Sequence, residues 1–359
     1  MAEQKRINPR YLESYTYEID RPESNDHFKV LIKIPADLKQ ADLKIQFNKK
    51  KSCVLAGIKD EIPFLCGKCF SVVSDFKYQF QPGLITLTFF KNSDEQWPLI
   101  IRDAISSKQN VDPFSALQLS VFLYTSGNPD DGSKLLLYAV SCMYPPAIIQ
   151  YAKNLLDNGL SADSVVPLLM NCVDEYKFSV AGIVIAQLSL IGQVSHDTAF
   201  TFLKKAADLN DPQAKLLLGC FLSPLEEPHG RFENAEEAYK LLSEIQELPN
   251  AKFGLARLIH EGIGCQKDEE KALELLESAK KEIPDLPTFE ELEKEKMQEK
   301  QPKKVENQKT ETKKVEKTEK ENKQEKKTGV FTKLAIAGTT AVFVAAAGLA
   351  VFNRLRKRK

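Results

Sequence analysis

The chain has 359 residues, of which 43% are apolar, and its 50 basic and 50 acidic side chains leave no formal net charge. At about 150 residues per domain, this length predicts two or three domains. The 16 glycines and 18 prolines are too few for a collagen-like or wholly disordered chain. The balanced charge offers no net field to hold a polyanion, so it disfavours nucleic acid as a main partner.

The seven cysteines are scattered along the chain, at Cys53, Cys66, Cys69, Cys142, Cys172, Cys220 and Cys265. This odd number, without an apolar run after Met1 that could act as a signal peptide, predicts reduced thiols facing the cytosol. Cys66 and Cys69 form the only CxxC pair, and no second pair of ligands has the spacing that a closed zinc site needs. No nucleophile is spaced with a base either. We therefore predict no metal, cofactor or catalytic site, and a protein that is not an enzyme.

Residues 15–105, which follow an N-terminal extension of residues 1–14, alternate between apolar and polar side chains with a period of two. The clearest runs cover residues 28–34, 43–47 and 84–90. Such alternation is typical of half-buried strands. Several short strands without intervening helices predict an antiparallel β-sandwich. We expect its core to include Phe28, Ile32, Phe89 and Trp97.

Residues 15–101 resemble a CS domain of the p23 and NudC type, a chaperone module related to small heat-shock proteins. The resemblance rests on DEIPFLCGKCF at 60–70, FKYQ at 76–79, GLITLTFFK at 83–91 and EQWPL at 95–99. In the first strand, Tyr15 or Tyr17 stands where many such domains have a tryptophan. The resemblance implies a co-chaperone or client-binding sandwich without enzyme activity.

Residues 112–283 repeat with a period of 31 to 37 residues. The repeat is marked by alanines at Ala116, Ala147, Ala181, Ala214 and Ala251. A glycine follows 11 or 12 residues after four of these alanines, whereas the fourth unit has a proline-containing insertion at 223–228 instead. This pattern predicts five helix–turn–helix units, stacked as an all-α solenoid with a concave groove.

The last unit, AKFGLARLIHEGIG at 251–264, resembles a Sel1 repeat, a relative of the tetratricopeptide repeat. The seventh helical position, counted from each repeat alanine, is mostly polar along the units. Side chains in this column should face solvent or a ligand. One interpretation is a solvated face. The other is a groove in which four residues contact a bound protein segment, namely Gln150, Lys153, Gln187 and Arg257.

Residues 284–332 have the composition of a charged linker. Between Glu290 and Lys327, 24 of 38 residues are charged, which excludes a packed core. Mixed Glu and Lys at i,i+4 spacing could support a frayed helix up to Pro302. We therefore expect a stalk.

Residues 333–353 contain the 19 uncharged residues LAIAGTTAVFVAAAGLAVF, enough for about 28 Å of helix and hence for one membrane span. Because the span lies so close to the C-terminus, we expect a tail anchor that leaves the N-terminal domains in the cytosol. The basic tail, residues 354–359, resembles the tails of mitochondrial-type outer-membrane proteins. The predicted targeting residues are Arg354, Arg356, Lys357, Arg358 and Lys359.

Together these modules resemble the receptor subunits of the outer-membrane translocase (TOM complex) in hydrogenosomes and similar mitochondrion-type organelles. The resemblance implies a tail-anchored receptor that captures precursor proteins or chaperone-bound clients and works beside a β-barrel pore subunit. The alternative is a membrane-tethered Hsp90-type co-chaperone or organelle adaptor.

Overall fold

The computed structural model describes residues 5–21, 26–93, 95, 97–103, 111–225 and 232–299. They form two compact units, the first ending at Ala181 and the second beginning at Gly182. This division falls inside the helical repeats, and the domain boundary expected between residues 105 and 112 stays a prediction.

The first unit begins with two antiparallel four-stranded sheets. Its strands are β1 (Glu18–Asp20), β2 (His27–Lys33), β3 (Leu43–Asn48), β4 (Cys53–Ile58), β5 (Leu65–Cys69), β6 (Val73–Gln81), β7 (Leu84–Lys91) and β8 (Ile101–Asp103). One sheet has the order β1-β2-β7-β6 and the other the order β3-β4-β5-β8. The strands predicted from the alternating pattern are confirmed.

The two sheets share an aromatic core. Phe47 of β3 stacks on Phe76 of β6, in the opposite sheet, with ring centroids 4.9 Å apart. Trp97 is 2% exposed and packs edge-on against Phe28 at 5.1 Å. Each predicted core side chain is at most 3% exposed, which confirms the predicted core.

Eleven helices follow in the described residues. They are α1 (Pro113–Thr125), α2 (Pro129–Ser141), α3 (Pro145–Asp157), α4 (Val166–Asp174), α5 (Ser179–Leu190), α6 (His196–Asp208), α7 (Pro212–Leu222), α8 (Ala235–Ser243), α9 (Pro249–Glu261), α10 (Glu269–Glu282) and α11 (Phe289–Glu299). Each repeat alanine lies on an odd-numbered helix from α1 to α9 and is fully buried. A helical-repeat region of five helix pairs is therefore confirmed.

The turns inside the pairs explain why the repeat needs glycine. Gly127, Gly159, Gly192 and Gly262 follow the first helix of a pair and have φ between 67° and 82°. Only glycine adopts this left-handed conformation readily, so it ends the helix and lets the chain reverse. The next helix then begins at a polar cap, as where Asn128 accepts from the amide of Asp131 at the start of α2.

The predicted linker is structured at its start. Leu286 is 2% exposed and Phe289 is 8% exposed, and α11 continues to Glu299. The predicted span and the five basic targeting residues lie outside the described residues. Among the residues that are described, none of the helices combines the length and apolar character that crossing a bilayer requires.

Candidate functional site

The N-terminal segment is held between the sheets and the first repeats, rather than lying outside the fold as an extension. The amide of Ile7 donates to the carbonyl of Cys142 at 2.9 Å, and the Tyr176 hydroxyl donates to the carbonyl of Ile7 at 3.1 Å. The Asn8 side chain donates to Glu61 at 3.2 Å. Ile7 itself is 2% exposed. These contacts hold the backbone directly after Lys5 and Arg6 in place.

Beside this segment lies an open groove of about 860 Å³. Lys5 and Arg6 contribute from the N-terminal segment, and the remaining lining comes from α2, the following turn and α4. The full lining is Lys5, Arg6, Leu137, Val140, Ser141, Met143 and Leu168. Leu137 is 49% exposed, so the groove includes an accessible apolar side chain.

The charge of this groove has one sign. Among its lining residues, Lys5 and Arg6 are charged and none is acidic. The Lys5 ammonium donates to the carbonyl of Asp60 at 2.6 Å, which fixes the cation without neutralising it. An apolar floor beside two cations suits a segment that carries apolar side chains next to a carboxylate.

A buried carboxylate joins the sheets to the first repeat. Asp112 is fully buried, accepts from the amide of Ser115 at 2.8 Å to cap α1, and accepts from the amide of Cys66 on β5 at 2.9 Å. Burial raises the pKa of Asp112 to about 6, and the hydrogen bonds from Ser115 and Cys66 oppose that rise. Tyr17 and Ser115 share a second buried hydrogen bond of 3.0 Å across the same junction.

The two CxxC cysteines lie on β5, the strand that contacts Asp112, and both are poor nucleophiles. Burial raises the pKa of both Cys66 and Cys69 to about 12. A thiol at this pKa is almost wholly protonated at neutral pH, so neither side chain is suited to thiolate chemistry.

Two of the predicted binding residues, Gln150 and Lys153, lie on α3 in the first unit. Both are half-buried. The Gln150 amide donates to Asn154 at 2.8 Å along the same helix. Neither residue lines the groove beside Lys5 and Arg6. Their contact with a bound segment stays a prediction.

The other two, Gln187 and Arg257, lie in the second unit. Gln187 is half-buried on α5. Arg257 was expected to face solvent or ligand, but it is only 8% exposed. Its guanidinium donates to the carbonyl of Leu225 at 3.3 Å and lies 5.7 Å from the ring centroid of Phe253. The polar column therefore does not present Arg257 to solvent, because the loop after α7 supplies a partly buried acceptor.

The groove cations were missed by sequence reasoning, which assigned residues 1–14 to an extension. The signal that could have located them is Ile7, a large apolar residue inside the predicted extension, which is 2% exposed in the structure.

Comparison with solved structures finds similar helical-repeat proteins. A Sel1 repeat protein from Oxalobacter formigenes is 22% identical with a TM-score of 0.37, over 48% of this chain and 52% of the other. A putative Sel1 repeat protein from Klebsiella pneumoniae is 20% identical with a TM-score of 0.28, over 47% of this chain and 86% of the other. A protective antigen of uropathogenic Escherichia coli, described as displaying an SLR fold, is 15% identical with a TM-score of 0.37, over 69% of this chain and 56% of the other.

The match thus spans about half the length of the Oxalobacter protein. No protein-family model matches the chain, and no curated protein matches it.

Proposed function

We propose that the protein is a membrane-tethered receptor that binds segments of other proteins. The observation that carries this proposal is the groove beside the N-terminal segment, which exposed Leu137 lines together with the cations Lys5 and Arg6. Among the lining residues, Ser141 supplies one hydroxyl, and none is a histidine, cysteine or acidic residue. An open surface of this composition favours recognition of a peptide over catalysis.

In its specific form, the proposal places the receptor on the outer membrane of a mitochondrion-type organelle such as a hydrogenosome, with its folded units in the cytosol. There it captures precursor proteins or chaperone-bound clients for a β-barrel translocase pore. This form is supported by the sequence resemblance of residues 15–101 to a CS domain, by the repeats, and by the predicted span with its basic tail.

The cations favour one class of ligand over another. Lys5 and Arg6 repel a strongly basic targeting helix and attract a segment with acidic residues. This charge supports the alternative, an Hsp90-type co-chaperone or organelle adaptor that binds an acidic segment. Within the receptor proposal, it supports capture of clients through an acidic segment of a bound chaperone.

The two forms are separated by what copurifies with the full-length protein from detergent-solubilised membranes. A β-barrel pore subunit supports the receptor, and Hsp90 without a pore supports the co-chaperone. The charge-reversing pair Lys5→Glu and Arg6→Glu is expected to release the ligand. The matched control, Lys44→Glu with Lys50→Glu, changes net charge equally at exposed lysines outside the groove. Equal capture by both variants would remove the groove from the proposal.

A further inference from the structure

The surface of the last repeat is covered by the chain that follows it. Phe289, at the start of α11, stacks on the His260 ring of α9 with centroids 4.1 Å apart and ring planes 8° from parallel. Phe289 is 8% exposed, and Leu286 in the preceding turn is 2% exposed. Two apolar side chains from the predicted linker are thus buried, and Phe289 is buried against this repeat.

Polar contacts surround this stacking. Nδ1 of His260 lies 2.8 Å from a carboxylate oxygen of Glu269 on α10, and Nε2 lies 3.8 Å from one of Glu293 on α11. His260 therefore connects three helices. Phe289 and Glu293 are four residues apart, so one face of α11 presents an aromatic ring and then a carboxylate to α9.

The fit of this segment is close. A cavity of about 10 Å³ remains between the two helices, lined by Arg257, His260, Glu261, Phe289, Leu292 and Glu293. That is room for about one water molecule. The surface contains Arg257, which the sequence analysis assigned to ligand binding, and here α11 lies beside it.

The segment begins as a separate structural element. Thr288 caps it, since the Glu291 carboxylate accepts from the amide of Thr288 at 2.7 Å and the Thr288 hydroxyl accepts from the amide of Glu291 at 3.3 Å. Beyond Leu292 the helix sequence is strongly charged, EKEKMQE. The apolar contact of α11 with the repeat is therefore concentrated in Phe289 and Leu292, a short footprint of the kind that opens locally before the whole fold does.

We propose that residues 286–293 are an intramolecular ligand, and that the His260 surface they cover also binds a partner helix with the same chemistry. That chemistry is an aromatic residue followed four positions later by a carboxylate. The inference rests on the proposed function, since it identifies a ligand class for repeats that bind protein segments. The partner would displace α11, so binding at the last repeat would free the start of the linker.

The test uses the full-length protein in detergent micelles and a fluorescent synthetic peptide copying residues 284–299. In the wild-type chain, α11 competes with the peptide. Phe289→Ala weakens that competitor, so the variant should bind the peptide about tenfold more tightly. This is the gain expected if the fraction of chains with an uncovered His260 surface rises from about one in ten towards unity. A peptide carrying Phe289→Ala should not bind. The matched control is Leu273→Ala, which truncates an exposed side chain of α10.

Several outcomes would overturn the inference. One is a Phe289→Ala chain that keeps its helical circular dichroism but binds the peptide no better than wild type. Another is unchanged binding after His260→Ala is added to Phe289→Ala. If Phe289→Ala does not fold, Glu293→Lys takes its place, because it keeps the ring and reverses the charge near His260. Equal affinities of Glu293→Lys and the wild-type chain for the peptide would then contradict the inference.

These results are separable from the proposed function. A chain that fails to bind the peptide but still copurifies a pore or chaperone through the Lys5 and Arg6 groove keeps the proposed function and loses this inference. Peptide binding without copurification would keep this inference and contradict the proposed function.

Discussion

Asp112 gives the stability of the first unit a pH dependence opposite to that of most acidic residues. Its carboxylate is fully buried between β5 and α1. Burial raises its pKa from 3.8 to about 6, because a charged oxygen loses more hydration there than two backbone amides return. Between these two pKa values, the folded chain holds a proton that the unfolded chain has released.

The sign and size follow from this difference in proton binding. Where the folded state binds more protons, the free energy of unfolding falls as pH rises. A shift of about 2 pKa units corresponds to about 3 kcal/mol. The first unit should therefore lose about 3 kcal/mol as the pH rises from about 4 to about 6, with no further loss from this group above that window.

Trp97 is the sole tryptophan and lies in the first unit, so its fluorescence reports denaturant unfolding of that unit. Asp112→Asn cannot titrate, and its amide would face the Cys66 amide donor to donor, which adds a constant penalty of about 1 to 3 kcal/mol. Subtracting the free energy of unfolding of Asp112→Asn from that of the wild type cancels the contributions of the other titrating groups. This difference should fall by about 3 kcal/mol as the pH rises, because only the wild type loses stability at Asp112. Asp130→Asn, which removes an exposed carboxylate from α2, is the control. A difference that stays flat with pH would refute the reasoning.

Three further predictions concern core packing, glycine positions in the backbone and subcellular localisation. Trp97→Ala should cost on the order of 3 to 5 kcal/mol by circular dichroism, since a fully buried indole is removed from the sandwich core; a near-wild-type stability would contradict the core assignment. Gly264→Ala should cost about 1 to 3 kcal/mol more than Gly262→Ala in thermal unfolding. Both glycines have φ near 70°, but a methyl at Gly264 would lie 2.1 Å from the carbonyl oxygen of Ala235, whereas at Gly262 the nearest atom is a side-chain carbon at 3.1 Å; equal costs would refute the steric argument. Replacing the five basic residues of the predicted tail with serine should redirect the protein in cells imaged by fluorescence, and unchanged localisation would contradict their targeting role.

The repeat region was predictable because one position in each unit has a strict physical demand. A helix pair can approach closely only where a small residue lies between the helices, so alanine recurs with the structural period. Gly182 shows the same demand, since a methyl there would lie 2.7 Å from the Ala206 side chain. The strands were predictable for a similar reason, because alternation records which side of a sheet is buried.

The contacts that join the elements were not predictable in the same way. Asp112 caps α1 through a local hydrogen bond from Ser115, but its second partner, Cys66, lies 46 residues away. Ile7 and its partner Tyr176 are separated by 169 residues. Neither periodicity nor composition carries information about such pairs. The burial of Arg257 was not predictable for the same reason, since its acceptor is the backbone of Leu225 and a backbone carbonyl has no signature in the sequence.

These long-range contacts change what a test of the modules can show. The resemblance to a CS domain implies a client-binding sandwich at residues 15–105, but the groove beside Lys5 and Arg6 needs Leu137 and Val140 of α2 and Leu168 of α4. A fragment ending at residue 110 would lack that floor and would also expose Ile7, whose two backbone hydrogen-bond partners lie at Cys142 and Tyr176. Loss of binding by this fragment would therefore be the result of an incomplete groove. Ligand binding should instead be assigned by comparing full-length variants, in which the Lys5 and Arg6 reversals change the charge of the groove and leave its floor in place.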